Sequence, residues 1–140
     1  MRSRPLSACS RRTHSAYADD LVVVFPARWP PRGHEGSVLL VTRRHVPTLY
    51  DIDNELAPVL MVRVRDIAAA VEKTFGATGT PIRQNNGPPG QDVPHLHFHI
   101  APRFSDDHYW NAAPVEAGDA ERTEWARRLG EHLPRHPREA

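Results

Sequence analysis

Residues 91–103 read Gln91-Asp92-Val93-Pro94-His95-Leu96-His97-Phe98-His99-Ile100-Ala101-Pro102-Arg103. From Val93 to Ala101 polar and apolar residues alternate, the period of a strand with one buried face. Pro102 closes the run, because proline cannot donate to a ladder. The alternation predicts His95, His97 and His99 on one face and Leu96, Phe98 and Ile100 on the other. Burying those three apolar side chains, at roughly 1.5–3 kcal/mol each, decides which face is inside and turns the histidines outward.

Three outward histidines have three readings: exposed polar positions, a metal site, or a surface for phosphate. Geometry weighs against one ion bound by all three, since same-face neighbours on a strand are ~6.6 Å apart at Cα and the outer pair ~13 Å. There is no H-E-x-x-H pattern and no partner cysteine, and His34 and His45 are the remote histidines placed to help. An extended substrate rich in oxygens, such as a phosphate ester or anhydride, suits the spacing better. A central imidazole can attack while its neighbours donate hydrogen bonds, and a reference pKa near 6.5 gives both protonation forms near neutrality. The preceding loop, residues 84–91, carries Asn86, Gly87, Gly90 and Gln91, whose amides and backbone N–H groups suit the same oxygens.

Working outward, Leu21 to Phe25 is a β-branched run ended by Pro26, and Ser37 to Thr42 is a second strand. The proline-rich stretch between them, with Trp29 and Gly33, has turn chemistry. Leu56, Leu60, Val64, Ile67, Val71 and Phe75 recur every three or four positions. They form the stripe of one long helix, with Asp53 as N-cap, Gly76 as its stop and Met61 counted with the core. Thr80 to Arg83 is a short candidate strand. Trp125, Leu129 and Leu133 mark a short helix near the end. The expected organisation is a flexible arm at 1–15, a catalytic domain at 16–104, and a C-terminal extension with a short helix at 105–140.

A length of 140 residues fits one such domain. Eighteen basic against 17 acidic residues leave no bulk attraction to nucleic acid or membrane. The lone Cys9 excludes an internal disulfide, and no apolar run has the length of a membrane span. The expected location is therefore the cytoplasm. No glycine-rich phosphate loop or dinucleotide fingerprint occurs.

The His-x-His-x-His run, led by Gly90-Gln91 and trailed by Pro102-Arg103, resembles the histidine triad family. Further matches are Tyr17-Ala18-Asp19-Asp20, Val38 to Val41 running into Arg43-Arg44-His45, the long helix, and Gln84-Asn85-Asn86-Gly87. The resemblance implies a compact α+β fold with about five antiparallel strands, a long helix across them, and a homodimer. It implies hydrolysis or transfer of nucleotides at the α-phosphorus with no cofactor or metal. His97 would be the nucleophile, and His95 and His99 would bind the phosphate and assist the leaving group. Gln91, Asn86, Gly90, Asp92 and Arg103 would serve the substrate.

Two departures bear on substrate. The family's upstream histidine, eight residues before His45, is Ser37 here, which leaves His34 as a candidate replacement. The acid or amide that holds ribose after the first strand is replaced by Phe25-Pro26-Ala27. A nucleotide-binding or sensor protein with weak chemistry, and a metal-binding protein using His97 with His95 or His99, are the competing expectations.

Overall fold

The computed structural model describes residues 14–134. The expectations for residues 1–13, Cys9 among them, and for 135–140 lie outside the described residues. Within the arm, His14 is placed, with its Nδ1 3.1 Å from the Thr123 hydroxyl.

Among the described residues, five strands and two α-helices follow in order: β1 (Tyr17–Ala18), β2 (Val22–Pro26), β3 (Val38–Thr42), α1 (Leu56–Phe75), β4 (Ile82–Arg83), β5 (His97–Ile100) and α2 (Asp119–Gly130). The strands form one sheet in the order β1-β2-β3-β5-β4, every pair antiparallel. This is the expected α+β architecture, a five-stranded antiparallel sheet with a long helix and a short C-terminal one.

Alternation divides the sheet into two faces. Val22, Val24, Val38, Leu40, Phe98 and Ile100 are buried and pack with Leu60, Val64, Ile67 and Val71 of α1. The opposite face carries Val23, Phe25, Leu39, His97 and His99, all half-buried. Helix α1 starts where the Asp53 carboxylate accepts from the N–H groups of Glu55 (3.1 Å) and Leu56 (2.8 Å). Asp53 thus caps the first turn as its sequence position predicts, although regular helix begins only at Leu56. Gly76, at φ 64°, ends it in the left-handed conformation that glycine adopts without penalty. Met61 is a correction. It is 60% exposed, because it lies about 100° around the helix from Leu60 and so leaves the buried stripe.

Leu129 of α2 is fully buried in the same core, and the Arg128 guanidinium donates to the Thr74 carbonyl at 3.0 Å. Before α2 the chain runs beside the β2–β3 connection. Arg32 N donates to Ala113 O (2.9 Å), Val115 N to Pro30 O (2.9 Å) and Ala117 N to Arg28 O (2.8 Å). These bonds hold residues 109–117 against the end of the sheet where β5 stops. Among the described residues no helix is long and apolar enough to cross a membrane.

Candidate active site

The histidine run is not one uninterrupted strand. Regular pairing begins at His97, opposite Val41, and continues with His99 opposite Leu39. Before it, His95 N bonds to Val93 O (2.8 Å) and Leu96 N to Val46 O (2.8 Å), so the chain bends ahead of the ladder. Pro94 has no N–H to give a ladder there. The expectation that all three rings share one face is corrected accordingly. His97 and His99 lie on the open face, with ring centroids 5.0 Å apart, whereas His95 is only 8% exposed.

Both ring nitrogens of His95 are engaged within the protein. Its Nε2 lies 2.6 Å from the Thr42 carbonyl, which can only accept, so Nε2 carries the hydrogen. Its Nδ1 lies 3.0 Å from Nδ1 of the exposed His45. In the neutral pair His45 therefore donates to His95 and presents its Nε2 outward. The same logic fixes His97. Its Nδ1 is 2.7 Å from the carbonyl of His95 and must donate to it, which leaves the lone pair of the neutral ring on Nε2.

His99 is held well below the ordinary histidine pKa, at about 4, first by burial and then by the charges of His97 and Arg83. It is uncharged at neutral pH, yet a neutral imidazole keeps one N–H to donate. Past His99 opens a cleft of about 270 Å³. Its walls include Ala27, Trp29 and Pro30 from the segment after β2, Tyr109 and Trp110 from the segment after β5, and Arg83 of β4.

The remaining predicted residues fall into two groups. Gln91 and Asn86 organise the loop. The Gln91 amide accepts from Gly87 N (2.7 Å) and donates to Pro47 O (2.6 Å), so both ends are engaged with backbone. The Asn86 carbonyl accepts from Leu49 N (2.9 Å) and from the Gln84 amide (2.7 Å). Gly90 and Asp92 are exposed on the same loop. His34 and Arg103 belong to a second cluster. His34, 1% exposed, donates through Nδ1 to the Pro102 carbonyl (2.9 Å) and meets the Tyr109 ring edge-on, centroids 4.9 Å apart. Burial keeps it from acting as a substrate contact in place of the upstream histidine. Ser37, which stands at that position, lines the cleft with its hydroxyl bonded to His34 O at 2.7 Å.

Arg103 is paired with Asp107, whose carboxylate it holds well below the usual range. The guanidinium also lies 5.3 Å from the Tyr109 ring centroid and 5.9 Å from that of Trp110. Sequence reasoning missed Arg83 altogether. A lone arginine on a two-residue strand gives no periodic signal, and only the pairing of β4 with β5 brings it opposite His99.

The family model for the HIT domain matches residues 10–106. The chain belongs to the HIT family. Within this family it is 39% identical over 92 residues to an uncharacterized HIT-like protein of Saccharolobus solfataricus, an alignment covering 65% of each chain. It is 38% identical over 73 residues to the asymmetrical bis(5'-nucleosyl)-tetraphosphatase of Schizosaccharomyces pombe, covering 51% of this chain and 40% of that enzyme. These alignments thus span under two thirds of either relative. The crystal structure of a Hit-like protein involved in cell-cycle regulation from Bartonella henselae superposes with a TM-score of 0.80 at 29% identity, covering 91% of this chain and 92% of that one. HIT proteins thus include nucleotide hydrolases, and this HIT domain carries the complete histidine run on the matching fold.

Proposed function

We propose that this HIT domain hydrolyses or transfers a nucleotide at its α-phosphorus through a covalent intermediate on His97, with a nucleoside phosphoramidate or a dinucleoside polyphosphate as substrate. The observation that carries this reading is the bond from His97 Nδ1 to the His95 carbonyl, which aims the free lone pair at Nε2. In the first step Nε2 forms a bond to phosphorus as the bond from phosphorus to the leaving group breaks. The electron pair departs with the leaving group, which takes up a proton from solvent water. The imidazolium so formed is stabilised because its Nδ1–H already faces a carbonyl dipole. Water then adds to phosphorus and gives up a proton to solvent, the P–N bond breaks, and nucleoside monophosphate leaves with the neutral ring restored.

His99, beside the attacking ring, donates its N–H to a phosphoryl oxygen. His95 contributes its carbonyl, with its ring as the anchor. Gln91 and Asn86 set the loop that carries Gly90 and Asp92 alongside. The chemistry draws on no cofactor or metal. The domain acts as a homodimer in the cytoplasm, a reading supported by the family and by the single cysteine.

Intact-protein mass measurement during turnover of adenosine phosphoramidate or diadenosine tetraphosphate is expected to show a nucleotide-mass adduct that is absent from His97→Ala. Full activity in that variant would overturn the mechanism. One observation favours a second reading, a nucleotide sensor with little turnover: among the described residues lining the cleft none is Asp or Glu, so these offer ribose hydroxyls no carboxylate. Under that reading calorimetry detects nucleotide binding while long incubations give no product.

A further inference from the structure

We propose that Arg83 is the specificity-determining residue of this site, binding phosphate oxygens beyond the phosphorus that His97 attacks and so selecting nucleotides with two or more phosphates. The proposal rests on the reading of His97 as the reacting group.

Three placements support it. Arg83 pairs with His99 across the antiparallel β4–β5 ladder, and directly opposed residues project from the same face. It therefore stands on the face of His97 and His99. Second, Arg83 lines the cleft with His99, Trp29 and Trp110, and its charge is one cause of the depressed basicity of His99. Third, among the described residues no carboxylate pairs with it. The arginine that sequence reasoning chose as anion guide, Arg103, is by contrast neutralised by Asp107.

Charge explains why this matters. A polyphosphate chain brings several negative charges to a site whose adjacent ring, His99, is neutral near pH 7. A fixed cation must come from elsewhere, and the open guanidinium at the lip of the cleft supplies it. Its planar fork matches two phosphate oxygens at once. Trp29 and Trp110, 56% and 67% exposed, give flat apolar surface on the walls of the same cleft, where a nucleobase can stack.

The test compares nucleotides that differ in phosphate number. Calorimetry on the full chain, in chelator-containing buffer, would use AMP and the uncleavable α,β-methylene analogue of ATP with wild type, Arg83→Gln and Arg83→Lys. Wild type is expected to bind the triphosphate analogue about ten- to a hundredfold more tightly than AMP, the worth of one or two charge-assisted hydrogen bonds. Arg83→Gln should bring that ratio near unity with AMP affinity little changed, and Arg83→Lys should keep part of it. In turnover, Arg83→Gln should lower kcat/KM for diadenosine tetraphosphate at least about tenfold, chiefly through KM, and that for adenosine phosphoramidate less than about threefold.

An unaltered ratio in Arg83→Gln, equal losses on both substrates, or no nucleotide binding by wild type would each overturn the assignment. An arginine that merely guards the open sheet edge would leave the ratio intact and change self-association instead. The two readings fail separately. Turnover surviving His97→Ala alongside the Arg83→Gln loss removes the covalent histidine and keeps the polyphosphate site, whereas a wild-type adduct with an unchanged phosphate preference removes Arg83 alone.

Discussion

His97 takes its orientation from the backbone of His95, whose carbonyl accepts the His97 Nδ1 hydrogen at 2.7 Å, while the His95 ring is pinned to the Thr42 carbonyl at 2.6 Å. The chain bend that removes His95 from the ladder is what frees its carbonyl for this bond. A buried ring fixes a backbone group, and that group fixes the tautomer of the reacting ring.

His95→Ala tests that coupling. It removes a buried ring and leaves the Thr42 carbonyl without its donor, so the expected loss of stability is about 2–4 kcal/mol. The sharper expectation is kinetic. With the carbonyl free to shift, kcat should fall by at least about tenfold while KM changes little, because both nitrogens of the His95 ring are engaged within the protein. Denaturant titration gives the first quantity and steady-state kinetics the second. His95→Asn, which retains a donor, should recover part of both.

His99 predicts a pH dependence of stability. Its folded pKa of about 4 lies below the ordinary value of 6.5, so between those values the unfolded chain binds a proton that the folded chain refuses. Stability therefore rises with pH across this window and is at its full value above about 6.5. The denaturation midpoint measured from pH 4 to pH 7 should climb in the wild type and climb less in His99→Asn. An identical slope in the two proteins would show that other groups cause it.

Asp19 sets the acid limb. Burial by itself would raise its pKa, but hydrogen bonds from the Tyr17 hydroxyl, the Val22 and Leu21 N–H groups and Arg63 outweigh this and hold it at about 2. Its contribution is present above the ordinary carboxylate range and is lost as pH falls towards 2. Asp19→Ala should cost about 1–3 kcal/mol at pH 7 for the lost turn and ion pair. Near pH 2 the difference from wild type should shrink, which unfolding at the two pH values would reveal.

The parts of this fold that were legible from sequence are those with a period. Leu56, Leu60, Val64, Ile67 and Val71 of the helical stripe, alternate residues of the β-branched runs (Val22 and Val24, Val38 and Leu40), and the Leu96, Phe98, Ile100 set are buried as their spacing indicates, while Phe75 at the end of the stripe is only partly so. What sequence did not reveal depends on contacts across the chain. Alternation cannot register that Leu96 N turns to Val46 O, so it placed His95 in the ladder. Its place three residues from the family's upstream histidine made His34 a candidate substrate contact, but its distant partner is the Pro102 carbonyl, 68 residues away. Arg83 became visible only when β4 paired with β5.

Gly36 supplies a stability test in the segment that leads to Ser37 at the cleft. Its φ is 95°, a conformation that side chains rarely adopt, and a Cβ built there would lie 2.6 Å from the Phe75 ring at the end of α1. Gly36→Ala therefore meets two penalties, one in the backbone and one steric, together about 2–5 kcal/mol. The two can be separated. In a Phe75→Ala background the ring is gone, so the steric part should vanish while the backbone part, roughly 1–2 kcal/mol, persists. Chemical denaturation of the four proteins in this cycle should give Gly36→Ala a smaller cost in the Phe75→Ala background than in the wild type. Equal costs would mean that the ring moves aside freely and that glycine is required there by its backbone angle alone.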